Sequence, residues 1–376
     1  MNTRIAGAAA NALAPLGIAR PPRRLQPGAW RRAWLGFGLL AAALAAEARP
    51  VLRVLAWPGY APAEVVRSFE QQTGAQVDLS VTTTDEVLWA RISANGGADF
   101  DVFAVNTAEL QRYVAANLIG PIDPAAIPNR RRQLPAFQNV ESIAGLTRHT
   151  AAGLQILGVP YTFSAMGLIY DRSQLTSAPD SIAALWDPRL RGKVIAYDGG
   201  SQNFSLAAQR LGLASPFQIP AAQLAPAVER LIALRRNVLG FYSRPEESVD
   251  VFMRHHAALM FANYGRQQVR LLQQAGANVG YVIPREGALA WLDCWVITRA
   301  ARDRALAHAW IDQMLGPAAS AALANQQGLG NTVADGLAAS DGQRLLWLEP
   351  VEDPARREAL WARIRSGDGA ARVLAP

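Results

Sequence analysis

VLRVLAWPGYAPAEVVRSFEQQTGAQVDLSV, residues 51–81, changes its hydrophobic period twice within one short stretch. Val51–Ala56 is a strand-length run, apolar except for Arg53, and Pro58-Gly59 bounds it. A helix then follows, with Pro62 and Glu64 at its first turn and Val65, Val66 and Phe69 on one face. Gly74 stands where that helix should close in the left-handed conformation, because glycine has no Cβ to clash there. Gln76–Val81 alternates, with Val77, Leu79 and Val81 on one side. Strand, helix and strand at this spacing require a crossover, so the sheet is expected to be parallel with helices on both faces.

The same grammar runs outward from this stretch. A helix is expected from about Asp85 to Ala94, a strand at Asp101–Val105 and a helix from about Glu109. Farther on, strands are expected at Lys193–Ala196, Ala258–Phe261, Asn278–Val282 and Leu292–Ile297. The helices between and after them are Gln202–Leu211, Pro226–Arg236, Gly265–Ala275, Arg302–Met314, Ala318–Gln326 and Pro354–Arg365. No repeat of 20–50 residues appears, which excludes a solenoid. The fold class is α/β, in two lobes.

Composition narrows the function classes. The 376 residues are 51% hydrophobic and 18% charged, a globular balance that excludes disorder and collagen. One cysteine, Cys294, excludes a disulfide scaffold and a multi-cysteine metal site. The net charge of +7 suggests nucleic acid until its location is considered. Arg31-Arg32 precedes an apolar run, Ala33–Ala46, too short for a membrane span, and small residues follow it. Residues 1–48 therefore read as a cleaved signal peptide. Its removal takes away six arginines and one glutamate, so +7 becomes +2 and the nucleic-acid footprint disappears.

Ligands of open α/β sheets sit beyond the carboxyl ends of the strands. The junctions to inspect are residues 57–60, 106–109, 198–203, 262–265 and 291–295. In Trp291-Leu292-Asp293-Cys294-Trp295, strand alternation puts Trp291, Asp293 and Trp295 on one face. A carboxylate between indoles suits an organic ammonium, and equally suits a buried acid capping backbone amides among core rings. Trp57 and Tyr60 can lay rings on a ligand or plug the core. Asn106 and Thr107 can cap the following helix or bind a polar head group. Cys294 points away from Asp293 on a regular strand and reads as an inert buried thiol. No nucleophile elbow, P-loop, dinucleotide fingerprint or zincin motif is present, so no enzymatic activity and no cofactor are expected.

Several segments together resemble the periplasmic polyamine-binding proteins, the spermidine/putrescine receptors of ABC transporters. They are LAWPGYAPAEVVRSFEQQTGAQV (55–77), TTDEVLWARI (83–92), DFDVFAVNT (99–107), IGPID (119–123), VPYTFSAMGLIYD (159–171), SIAALWDPRLRGKV (181–194) and VIPREGALAWLDCWVI (282–297). The block Pro284, Glu286, Gly287, Trp291 and Asp293 is the most specific of these. The resemblance implies a type II periplasmic-binding-protein fold, with crossovers near Pro160–Ala165 and Pro284–Ala290 and a ligand cleft between the lobes. It places residues 49–162 and 289–335 in lobe 1, and 163–288 and 336–376 in lobe 2. Trp57, Tyr60, Asn106, Thr107, Gln202, Tyr264, Trp291 and Asp293 would then line the cleft.

The resemblance also implies a monomer that delivers a small amine to an inner-membrane ABC permease from the periplasm. An adaptor for a membrane sensor or chemoreceptor, without transport, would present the same chain. Gly59 and Gln202 stand where the family places acids, which points to a ligand with fewer charges than spermidine. Glu109 is a candidate for a relocated acid, and Asp198 reads as a structural one.

Overall fold

The computed structural model describes residues 49–151, 153–333 and 344–375; the signal-peptide reading of residues 1–48 lies outside them. From the N-terminal side the elements are β1 (Val51–Ala56), α1 (Ala63–Thr73), β2 (Gln76–Val81), α2 (Asp85–Ser93), β3 (Val102–Asn106), α3 (Thr107–Ala115) and β4 (Ile119–Gly120). Gly74 closes α1 at φ 72°, as its position in the sequence requires. A hairpin, β5 (Thr147–Thr150) and β6 (Gly153–Ile156), leads to β7 (Val159–Met166).

The chain then enters a second sheet through β8 (Leu168–Asp171), β9 (Val194–Tyr197), α4 (Gly200–Arg210), α5 (Ala221–Asn237) and β10 (Val238–Tyr242). This sheet is completed by α6 (Pro245–Arg254), β11 (Leu259–Phe261), α7 (Arg266–Gln274) and β12 (Val279–Val282). The return brings β13 (Ala288–Thr298), α8 (Arg304–Met314), α9 (Pro317–Gln327), β14 (Gly330–Asn331), β15 (Leu345–Trp347), α10 (Pro354–Arg365) and finally the short α11 (Ala370–Val373).

Two lobes result, each built on one sheet. The first sheet runs β14-β7-β13-β3-β1-β2, with β15 and β4 also paired to β13; the second runs β10-β9-β11-β8-β12. The parallel pairing expected from residues 51–81 holds for β1 with β2 and β3. The sheet as a whole is mixed, because β13 returns from the other lobe and lies antiparallel to β3 and β7.

The crossovers differ from the expected places. Pro160 does not break the chain: it sits inside β7 at a register shift against Asp293 and Cys294, the kind of irregularity where a missing N–H is tolerated. The first passage is at Gly167, where a Cβ would stand 2.6 Å from the Val282 carbonyl oxygen. That oxygen ends β12, so the first and second passages touch. The second passage spans only residues 283–287, since β13 begins at Ala288.

A third passage follows β15. Leu345–Trp347, expected with the second lobe, pairs with Ala288–Ala290 in the first sheet, and Leu348–Asp353 then carries the chain across. On the far side α10 is pinned to α4: Arg357, fully buried, donates to Ser205 Oγ and Glu352, and Glu358 accepts from the Gly200 amide.

Candidate ligand-binding site

Three strand ends of the first sheet and two of the second converge on one small cavity. From the first lobe come Trp57 and Tyr60 after β1, Asp85 after β2, Asn106 at the end of β3, and Trp291 and Asp293 on β13. The second lobe supplies Tyr197, Gln202, Asn263 and Tyr264, while Met166 and Leu348 lie at the first and third passages. Seven of the eight residues singled out in the sequence are thus brought together. Thr107 is not among them: as the first residue of α3 it lines a separate groove with Phe137 and Leu292. Asn106 itself caps α3, its Oδ1 accepting from the Glu109 amide at 2.9 Å, so its cap role and its place in the cavity coexist.

Asp293 is buried, and the Tyr60 hydroxyl donates to its Oδ2 at 2.7 Å. The Tyr60 ring is held edge-on to Tyr161 and tilted against Trp291, and Tyr161 donates to the Tyr60 carbonyl at 2.7 Å. Burial pushes the Asp293 carboxyl up to about 7, although the Tyr60 donor pulls the other way. Cys294, on the other face of β13, is a fully buried thiol that burial pushes up.

A second carboxylate was not singled out in the sequence. Asp85 reads there as the first residue of a helix, and it is one, with Thr84 as the cap. It is also buried at the carboxyl end of β2, where Asn106 Nδ2 donates to Oδ1 at 3.0 Å and Gln202 Nε2 donates to Oδ2 at 2.9 Å. Burial and the neighbouring acids Glu109 and Glu86 raise its carboxyl well above the usual range, against the donation from Gln202. The signal that could have found it was the strand-end rule applied to β2 as to the other strands.

The positions where the resemblance expects acids have local explanations. Gly59 sits at φ 81°, and a Cβ there would meet the Gln327 and Gln267 side-chain amides, the latter at 2.7 Å. Gln267 fills that space and donates to the Pro58 carbonyl at 3.2 Å, a bridge from α7 to the other lobe. Glu109 is ion-paired with Arg112 at 3.0 Å and lines a small recess beside the cavity. Asp198 accepts from Trp361 Nε1 at 2.9 Å and pairs with Arg365, away from the cavity.

The two lobes are in contact around this space. Trp291 Nε1 donates to the Asn263 carbonyl at 3.0 Å, and Tyr197 donates to the Thr83 carbonyl at 3.1 Å. Trp57 Nε1 and Asn263 Oδ1 are buried without partners among the described residues. Among the described residues, the cavity wall carries two acids, five aromatic rings and no basic side chain.

One consequence concerns stability. The folded, closed state keeps the Asp293 proton up to about pH 7, whereas an unfolded Asp loses it near pH ~4. The folded state therefore binds more protons between these values, and stability should fall as pH rises through that window. Melting curves of the ligand-free protein from pH 4.5 to 8 should show this decline. Asp293→Asn should make the decline shallower, leaving the part that the raised Asp85 carboxyl contributes, and an equally steep decline in the variant would assign the whole effect elsewhere.

The model of the family described as bacterial extracellular solute-binding protein matches residues 64–345. The chain is 26% identical over 314 residues to the spermidine/putrescine-binding periplasmic protein 1 of Haemophilus influenzae, covering 82% of this chain and 81% of that one. It is 24% identical over 309 residues to the putrescine-binding periplasmic protein PotF of Escherichia coli, covering 77% and 81%. Among solved structures, a putative spermidine/putrescine ABC transporter protein from Listeria monocytogenes superposes with a TM-score of 0.72 at 20% identity, over 84% of this chain and 98% of that one. With three quarters of its length matched by the family model and its two lobes enclosing a cavity, the chain belongs to the bacterial extracellular solute-binding proteins.

Proposed function

We propose that this protein is the periplasmic receptor of an ABC permease and that it closes on a small organic amine. The observation that carries the ligand class is the cavity wall: two buried carboxylates and no basic side chain among the described residues. A buried charge needs a partner, and an ammonium supplies one to Asp293 and Asp85 while the rings of Trp57, Tyr60 and Trp291 receive its positive face. Asn263 Oδ1, buried and unpartnered, is a further acceptor for an N–H. The names of the relatives support the same class. Periplasmic location accords with those names, and among the described residues no helix is long and apolar enough to cross a membrane.

In this reading the first lobe carries β1–β7 and β13–β15, and the second carries β8–β12 with α10. Trp57, Tyr60, Asn106, Gln202, Tyr264, Trp291 and Asp293 line the ligand, joined by Asp85, and Thr107 does not. The protein acts as a monomer. Calorimetric titration with n-butylamine, 1,4-diaminobutane, spermidine and glycine betaine tests the class. Binding of a compact amine supports it, and binding of none of the amines overturns it.

The pH dependence follows from Asp293. An ammonium requires the ionised carboxylate, and the ligand-free closed site holds the proton up to about pH 7. Amine affinity should therefore be full above pH 8 and fall toward pH 5.5, by up to roughly tenfold per pH unit below the pKa. A flat profile between pH 8 and 5.5 would remove Asp293 as the amine's counter-ion.

A further inference from the structure

Three separate spaces meet at Leu348. It lines the cavity, a larger groove formed with Phe137, Ile143, Leu292 and Trp347, and the small recess beside Glu109. Among the described residues no other side chain borders all three. Its place follows from strand geometry. β15 lies parallel to β13 with Trp347 opposite Ala290, and the Leu348 amide donates to the Ala290 carbonyl at 2.8 Å, extending the register by one residue. Leu348 therefore stands beside Trp291, and alternation turns it toward the face that carries Trp291 and Asp293. Trp347 takes the opposite face, that of Leu292, and borders only the groove. The half-buried leucine borders both the aromatic, acid-bearing cavity and the larger, mostly apolar groove.

We propose that Leu348 determines ligand size: it confines the ligand to compact amines and excludes amines that carry an apolar arm. The proposal rests on the amine reading of the cavity. The groove walls are mostly carbon, so an arm that could pass Leu348 would be drawn in rather than repelled. Each methylene group taken out of water is worth roughly a factor of four in affinity. The obstacle to such a ligand is the leucine side chain and not the chemistry behind it.

Calorimetry with n-butylamine and 4-phenylbutylamine, on the parent and on Leu348→Ala, tests this. The parent should bind n-butylamine and exclude 4-phenylbutylamine. Leu348→Ala should bind 4-phenylbutylamine at least about tenfold more tightly than n-butylamine. Leu348→Phe, which fills the same place, should keep the parent's exclusion. An unchanged preference in Leu348→Ala overturns the proposal and leaves the amine reading intact. If neither protein binds an amine, the amine reading fails, and a crystal structure of Leu348→Ala judges the partition: two spaces still separated overturn it. Should Leu348→Ala fail to fold, Leu348→Val carries the same test with a smaller shift.

Discussion

Asp293→Asn is expected to weaken amine binding by roughly 30-fold or more without lowering the melting temperature of the ligand-free protein. The carboxylate is buried, its Oδ2 is held by Tyr60 at 2.7 Å, and no basic side chain reaches the cavity among the described residues. An ammonium entering this space trades its water shell for that charge. Removing one partner of such a desolvated pair costs on the order of 2–5 kcal/mol, and about 1.4 kcal/mol is tenfold. Asparagine keeps the shape and an acceptor for Tyr60, so the framework around it should stand. Titration calorimetry at pH 8, paired with melting of the ligand-free variant, separates the two effects. Near-normal affinity with a lowered melting temperature would make Asp293 a framework acid and not a ligand contact.

Gln202→Glu should produce the second large effect, and here the structure adds a cost that the sequence does not show. Judged by resemblance alone, an acid at 202 should strengthen binding of a diamine relative to a monoamine. Gln202 Nε2, however, donates to Asp85 Oδ2 at 2.9 Å. Glutamate removes the donor and sets two buried carboxylates against each other, a juxtaposition that costs several kcal/mol. Closure on a monoamine at pH 8 should weaken by roughly 100-fold. The loss should shrink toward pH 5.5, where one proton can be shared between the two acids. A diamine, bringing a second charge, should lose less. Titrations of n-butylamine and 1,4-diaminobutane at both pH values decide this. Monoamine affinity equal to the parent's at pH 8 would show that the Gln202–Asp85 contact does not form in the bound state.

These two residues mark where local reading succeeds and where it stops. The shared face of Trp291 and Asp293 is a property of one strand, and strand alternation makes it visible from five consecutive letters. The Trp57–Tyr60 turn and Asn106 were reachable because strand ends gather at the cleft of an open sheet. Asp85 has an ordinary local explanation, the start of a capped helix. Its second role comes from side chains 21 and 117 residues away in sequence. Thr107 was misplaced because adjacent residues at a strand-to-helix switch point in different directions. The crossovers were shifted for a similar reason: Pro160 looks like a breaker until β13 is known to lie beside it with a register shift.

The third passage has a mechanical consequence. The first two passages touch at Gly167 and Val282, so if one lobe swings from the other they would serve together as a single pin. Leu348–Asp353 leaves the first sheet level with Trp291, whereas β13 itself starts at Ala288, three residues or ~10 Å back along the strand. A tether fixed that far off the pin must lengthen when the jaws part. At one end it is held by the Ala290 carbonyl; at the other, Gln218 Nε2 donates to the Pro350 carbonyl at 2.7 Å and Arg357 grips Glu352. Were the jaws to part, the slack in these few residues would limit how wide they could gape, much as a check strap limits a door.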